Sequence, residues 1–187
     1  MKKNTLTIFG LAIAFALVSF STPTKLVSSK THIKFFSSTP AEDIVSNNYK
    51  SVSTIDPASG KVVFSVPMQS FEFEKALMQK HFNSGKFLKT KKYPKSKFIG
   101  TITNLSEINF DTDGVYEAKI KGELTIMDKT NPIDEKGTIT IKGSMIEVNS
   151  VFNIALDAYG ITFTKGVPST NIANDVEVTV AAEYNNQ

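Results

Sequence analysis

The sequence predicts an all-β fold, an antiparallel barrel of about eight strands closed at one end by a short helix. Apolar and polar residues alternate with a period of two through most of the chain after residue 21, and turn-forming residues separate the alternating segments. One stretch, residues 71–82, has helical spacing instead. A barrel is favoured over an open sheet because closure leaves no unpaired edge strand.

The N-terminus has the character of a signal peptide. Two lysines follow Met1, and residues 6–20 form an uncharged apolar stretch that is shorter than the ~20 residues of a membrane-spanning helix. Ser19 and Ser21 give a small-x-small cleavage pattern. We therefore expect residues 1–21 to be removed close to Thr22, the protein to be periplasmic or secreted, and residues 22–187 to form a single domain.

The composition argues against nucleic acid as a partner. All 21 basic residues are lysine, and the formal net charge of +3 includes the two lysines of the leader. Arginine, whose forked side chain dominates base recognition and bidentate phosphate binding, is absent. The chain has 14 phenylalanines and no tryptophan, which favours an interior of plain hydrocarbon.

Two segments show the strand pattern most clearly. In residues 115–127 the inward face is apolar and the outward face carries charges such as Glu117 and Lys119. The C-terminal segment has the same arrangement. The inward residues of the two segments are Tyr116, Ala118, Ile120, Gly122, Leu124 and Ile126, and Val176, Val178, Val180, Ala182 and Tyr184.

Shorter or weaker patterns complete the set of strands. They lie at residues 31–37, 47–56, 61–68, 97–104, 138–148 and 151–156. Within 138–148 the alternation shifts phase, which predicts a bulge near Gly143 and Ser144. Turns are expected at residues 56–60, 111–114, 131–132 and 135–137, where Gly, Pro, Asn and Asp cluster.

The helical stretch is predicted to run from Phe71 to Phe82. Ser70 is a candidate N-cap, Glu72 and Glu74 would lie in the first turn, and basic residues lie in the last. Its apolar side would consist of Phe73, Leu77, Met78 and Phe82. Placed among antiparallel strands, such a helix would cap one end of the barrel.

An eight-stranded barrel is either filled by side chains or holds one small ligand, and the sequence leaves both readings open. Inward glycines at positions 100, 122 and 143 modestly favour a hollow interior. If the interior is a tunnel, its expected apolar lining is Phe35, Phe64, Val66, Leu77, Met78, Phe98, Ile102, Tyr116, Ile120, Leu124, Ile139, Ile141, Phe152, Val176 and Val178. If it is filled, the protein is a structural or protein-interaction barrel without a ligand.

Nothing in the sequence predicts catalysis. The two histidines, His32 and His81, belong to no hydrolase, metalloprotease or phosphate-binding motif, and no cluster of metal ligands is present. His32 is expected on the outward face of its strand. His81 is expected to be at least half-buried beside the loop after the helix, although a pair with Glu74 is conceivable. We therefore predict a non-enzymatic protein with no metal or cofactor.

A run of lysines without an intervening acid follows the predicted helix. It consists of Lys86, Lys89, Lys91, Lys92, Lys95 and Lys97. Such a run is either a solvated surface or a positive rim that meets an anionic membrane, where each lysine contributes ~1 kcal/mol.

Several segments, in order along the chain, resemble the YceI-like family of lipocalin-like, polyisoprenoid-binding domains. The matching segments are residues 64–71, 81–82, 87–94, 98–100, 122–126, 132–133, 157–161 and 174–176. The resemblance implies an exported lipocalin-like barrel whose apolar tunnel takes up a polyisoprenoid, an isoprenoid quinone or a fatty-acid-like amphiphile, with no catalytic residues. The first strand, residues 30–35, and the loop 128–132 depart from the common family pattern.

Overall fold

A computed structural model describes residues 25–162 and 172–185, and the expected signal peptide lies outside them. Within the described chain, ten strands and one α-helix are present. The strands are β1 (Leu26–Ser38), β2 (Asp43–Asn48), β3 (Val52–Ile55), β4 (Lys61–Pro67), β5 (Phe71–Phe73), β6 (Lys95–Ile102), β7 (Gly114–Ile126), β8 (Lys129–Lys142), β9 (Met145–Ala155) and β10 (Asp175–Asn185), and the helix is α1 (Ala76–Asn83). No helix of the described residues is long and apolar enough to cross a membrane.

The strands form a closed antiparallel barrel because β1 pairs with β10. Two pairs of short strands each occupy one position in the wall, so the barrel has eight positions. Both β2 and β3 pair with β1 in one continuous register, from Ile33 opposite Asn48 to Leu26 opposite Ile55. In the next position β5 pairs with β2 while β4 pairs with β3. The predicted eight-stranded barrel is confirmed.

The inward faces predicted for β7 and β10 are also confirmed. Ala118, Ile126, Val176, Ala182 and Tyr184 are buried, whereas the charged side chains between the inward positions of β7 are exposed. Alternation works here because successive side chains of a strand point to opposite faces of the sheet.

Three predictions for the β8–β9 region are wrong. Residues 131–132 and 135–137 are not turns but parts of β8, and Pro132 pairs with Glu123 of β7. Gly143 and Ser144 are not a bulge but the tip of the β8–β9 hairpin, with Gly143 at φ +59°. Proline is tolerated in β8 because this part of the strand has a partner on one side only.

The helix begins later than predicted. Phe71–Phe73 is strand β5 and pairs with β2, so Glu72 and Glu74 precede the helix rather than occupy its first turn. Lys75 is the N-cap, and no side chain caps the helix. Pairing with β2 outweighs the local helical preference of this stretch.

The wall is incomplete between β8 and β9. Their register runs only from Lys142 opposite Met145 to Thr138 opposite Asn149. Beyond that point the described part of β8 pairs only with β7, and β9 pairs only with β10.

Candidate ligand-binding cavity

The barrel encloses an apolar cavity of about 840 Å³. The end of the barrel that α1 approaches is the open one. Cavities of ~300–1,000 Å³ with mostly apolar walls are typical of small-molecule sites. The interior at this end is therefore not filled by side chains.

Most of the residues predicted to line a tunnel line this cavity. They are Phe35, Phe64, Val66, Leu77, Met78, Phe98, Ile102, Ile120, Leu124, Ile139, Phe152, Val176 and Val178. Tyr116 and Ile141 do not belong to the lining. They lie nearer the opposite end of the barrel, where Ile141 is buried opposite Gly114 and the Tyr116 hydroxyl donates to the Thr112 carbonyl at 3.0 Å.

Phenylalanine rings form the wall beside α1. Phe82 of the helix contacts rings from β1, β5 and the following loop, with centroid separations between 5.0 and 6.2 Å. The cluster consists of Phe35, Phe71, Phe73, Phe82 and Phe87. Offset and edge-on ring pairs of this kind are worth ~0.5–1.5 kcal/mol beyond their burial, so they fix the helix against the barrel.

The mouth of the cavity carries basic side chains and one carboxylate. Lys75, His81 and Lys86 line the cavity and are exposed, as is Leu77 at 62%. Lys75 is paired with Glu42 of the neighbouring loop, Nζ to Oε1, at 2.6 Å. The exposure of His81 contradicts its predicted burial, because the helix turns its Phe82 side to the core and leaves His81 at the rim.

The opposite end of the barrel is closed by a buried polar pair. The hydroxyls of Tyr184 and Ser53 hydrogen bond at 2.6 Å, and Tyr184 is completely buried. Burial raises the pKa of Tyr184 to about 12, although the hydrogen bond to Ser53 acts in the opposite direction. Ile55, Ile146 and Ala118 are packed at this end with 1% exposure or less.

Two inward glycines do not create the space in the cavity. Gly100 of β6 and Gly122 of β7 are register partners, and the ring of Phe98 lies over both. A Cβ at Gly122 would lie 2.4 Å from the Ile99 carbonyl oxygen and 2.8 Å from the Phe98 ring. The glycines therefore allow Phe98 to lie flat along the wall. Gly143, the third, is in the β8–β9 turn.

Sequence reasoning missed part of the lining. Ile133 and Glu135 belong to β8, where turn-forming residues concealed the strand pattern, and Ser150 and Ile154 of β9 were also missed. The signal for an inward face was the alternate spacing of Ile133, Glu135 and Gly137. The charge of Glu135 interrupted this otherwise uncharged face, so the strand pattern was missed. The carboxylate of Glu135 has no hydrogen bond or ion pair with any described residue.

The second histidine, His32, lies outside the cavity. His32 is half-buried on the outside of the wall, stacked on Tyr49 at 4.5 Å, with Nε2 2.9 Å from the Asn47 side-chain oxygen. Over residues 25–162 and 172–185, no group of three His, Asp or Glu side chains is placed to hold a metal ion.

The fold and the cavity together define a lipocalin-like β-barrel with an apolar interior. A family model, the YceI-like domain, matches residues 21–184, and the chain belongs to this family. A UPF0312 protein of Pseudomonas putida strain W619 is 27% identical over 130 residues. That match covers 66% of this chain and spans 62% of the relative's length.

Solved structures share the fold at low sequence identity. A polyisoprenoid-binding domain from Saccharophagus degradans has a TM-score of 0.73 at 11% identity and covers 87% of this chain and 98% of its own. BcnA of Burkholderia cenocepacia has a TM-score of 0.67 at 16% identity, with coverage of 82% and 95%. The YCEI protein of Campylobacter jejuni has a TM-score of 0.56 at 18% identity, with coverage of 100% and 99%.

Proposed function

We propose that this protein is a lipid carrier that holds the long apolar chain of a polyisoprenoid, an isoprenoid quinone or a fatty-acid-like amphiphile inside the barrel. The observation that carries the proposal is the cavity of about 840 Å³, which is walled by aliphatic and phenylalanine side chains. Membership of the YceI-like family and the fold shared with a polyisoprenoid-binding domain support it. The protein acts by binding, without chemical conversion of the ligand.

The dimensions of the cavity suit an extended chain. On β9 the lining extends from Val148 to Ile154, which is roughly 20 Å along the strand and about 15 Å along an axis inclined ~40° to it. Each methylene removed from water contributes ~0.8 kcal/mol, so ten of them contribute about 8 kcal/mol before ordering costs. Burial of the chain thus supplies most of the affinity.

The polar end of the ligand is placed at the mouth beside α1. His81 and Lys86 are exposed at the cavity rim, and Lys75 lies beside them with its partner Glu42. Amine and imidazole groups at the water boundary favour an anionic or strongly polar headgroup, while the rest of the lining offers it few partners. The lysines of residues 86–97 are all exposed and extend the same charge over the outer surface.

We propose that the protein works outside the cytoplasm after removal of residues 1–21. The apolar leader and the Ser19 and Ser21 pattern support this. Intact mass of the protein recovered outside the cytoplasm should correspond to a chain that starts close to Thr22. Recovery of a chain that retains Met1 in the membrane fraction would contradict it.

The direct test of lipid binding is to identify what the purified protein carries. Native mass spectrometry of the mature protein, followed by solvent extraction, should reveal a long-chain lipid that is released when the protein is unfolded. A matched pair of variants locates it: Phe98→Trp, which enlarges a ring in the lining, should reduce lipid content, whereas Phe36→Trp, on the outward face of β1, should not. A wild-type protein that carries no lipid and binds neither cis-parinaric acid nor farnesol would refute the proposal.

A further inference from the structure

The barrel wall contains a slit between β8 and β9. Hydrogen-bond pairing of the two strands ends at Thr138 and Asn149. The Ser150 side chain then takes the place of a strand partner by donating to the Lys136 carbonyl at 2.7 Å. Gly137 lies at the point where the two strands separate, which we call the fork. A Cβ at this position would lie 2.6 Å from the Asn149 carbonyl oxygen.

The far end of the slit is closed by a different contact. After β9 the chain forms a short 3₁₀ turn, Asp157–Tyr159, and the Asn131 amide donates to the Ala158 carbonyl at 2.9 Å. Between the two contacts lie residues 132–135 of β8, which extend roughly 13 Å at ~3.3 Å per residue.

The edges at this slit differ from the free edge of β5. The edge of β5 is covered, because the Phe73 amide donates to the Gln79 side chain of α1 at 3.3 Å and the Met68 amide donates to the Pro94 carbonyl at 2.9 Å. Proteins usually cover or shorten such edges. Across the slit, the described residues supply no backbone hydrogen bond between 132–136 and β9.

The slit leads into the cavity. Ile133 and Glu135 on one side and Phe152 and Ile154 on the other all line the cavity. Ile133, Phe152 and Ile154 present hydrocarbon to anything that passes between the strands. Glu135 is half-buried, and its carboxylate has no partner among the residues that the structure describes.

We propose that this slit is a side portal through which the apolar chain of the ligand enters and leaves the barrel, and that Glu135 makes it selective against anionic headgroups. The inference rests on the proposed lipid-binding function. The two openings differ in charge: at the α1 mouth Lys75 is paired with Glu42 and Lys86 is exposed, whereas the carboxylate of Glu135 at the slit has no partner among the described residues. Passage of an anionic end through the slit is therefore disfavoured, because like charges repel most strongly where water is scarce.

Crosslinking the slit tests the portal. The chain contains no cysteine, so a pair introduced at Asp134 and Asn153 is the only reactive pair. Both positions are exposed, and they face each other if the β8–β9 register is continued past the fork. The matched control is a cysteine pair at Ile99 and Glu123, exposed register partners on the fully paired β6 and β7. Each folded protein is treated with a short bis-maleimide, and uptake and release of fluorescent cis-parinaric acid are followed by stopped flow.

We expect the Asp134–Asn153 crosslink to slow both uptake and release roughly tenfold or more, with little effect from the control crosslink. Equal rates in the two crosslinked proteins would overturn the portal while leaving lipid binding intact. Absence of probe binding in wild type and in both untreated variants would instead overturn the lipid-binding function, and the portal with it.

The role of Glu135 is tested separately by Glu135→Gln. This variant should take up cis-parinaric acid severalfold faster while uptake of farnesol, which has no charge, changes little. Lys136→Gln, an outward neighbour in β8, is the control for a change of charge at the surface. An equal change for the charged and uncharged probes would overturn the charge selection.

Discussion

The two ends of the barrel are built from the same strands but have opposite interiors. At the closed end Tyr184, Ile55, Ile146 and Ala118 are almost completely buried. Toward the α1 mouth the inward residues of the same strands, such as Phe152 and Val178, are only partly buried and line the cavity. An inward position on a strand therefore does not by itself mean a packed side chain.

The closed end is filled because one large side chain spans it and its polar atom is satisfied. Tyr184 is completely buried at this end, and its hydroxyl hydrogen bonds to that of Ser53. At the α1 end the large side chains are phenylalanines that contact one another along the wall, so the centre stays open. Interior hydrocarbon packs to high density only where shapes interlock.

The sharpest test of this difference compares the same substitution at the two ends. Ile146→Ala removes a side chain with 0% exposure and should lower the free energy of unfolding by about 2–5 kcal/mol. Ile120→Ala removes one that lines the cavity and should cost less than about half as much, since that side chain already borders empty space. Urea denaturation of both lipid-free variants measures the difference. Equal losses would mean that the α1 end is packed as tightly as the closed end.

The closed end should also carry a distinctive pH dependence. Burial raises the pKa of Tyr184 to about 12, against about 10 for a tyrosine in the unfolded chain. Its contribution to stability is complete below pH ~10 and is lost as pH rises through about 12, a loss of about 2–3 kcal/mol. Urea denaturation between pH 9 and 12 should show this loss in wild type beyond that of Tyr184→Phe. If the free energy of unfolding depends on pH in the same way in both proteins, the Tyr184 hydroxyl is not isolated from water.

The glycines under Phe98 sharpen the comparison, because they determine how the wall of the hollow end is built. Gly122→Ala should lower the free energy of unfolding by about 1–3 kcal/mol, since its Cβ meets β6 backbone and the Phe98 ring. Gly122→Leu should lower the free energy of unfolding further, because its side chain should separate β6 from β7 rather than fill the cavity. Gly85→Ala is the control, because nothing lies within 4 Å of a Cβ there. A Gly122→Leu protein of wild-type stability would show that β6 and the Phe98 ring can shift to accommodate a side chain at this position.

The smallest effect on stability is expected from the lysines outside the α1 mouth. Replacing Lys89, Lys91 and Lys92 with glutamine should change the free energy of unfolding by well under ~1 kcal/mol, because all three are exposed. Binding to anionic vesicles at low salt should fall. The control is a second triple variant, in which Lys61, Lys119 and Lys142 are replaced with glutamine. It loses the same charge from the outer surface of β4, β7 and β8, away from residues 86–97. Equal vesicle binding by the two triple variants would exclude a specific role for the residues 86–97 surface.

Sequence predicted the barrel well where the evidence is local. The faces of β7 and β10 could be assigned residue by residue, since alternation follows from strand geometry alone. Prediction failed where a distant partner decides the conformation. Phe71–Phe73 has a helical neighbourhood but becomes a strand by pairing with β2, and Pro132 and Gly137 look like turn residues but lie in β8.

By itself, then, the sequence determined the fold class, the faces of β7 and β10, and thirteen of the side chains that line the cavity. Only the tertiary structure decided that one end of the interior is empty and the other filled, and that β8 and β9 separate beyond Thr138 and Asn149. The physical reason is that alternation fixes the direction of each side chain, whereas the space in front of it depends on residues of other strands that are far away in the sequence. A filled barrel and a hollow one therefore share one alternating pattern.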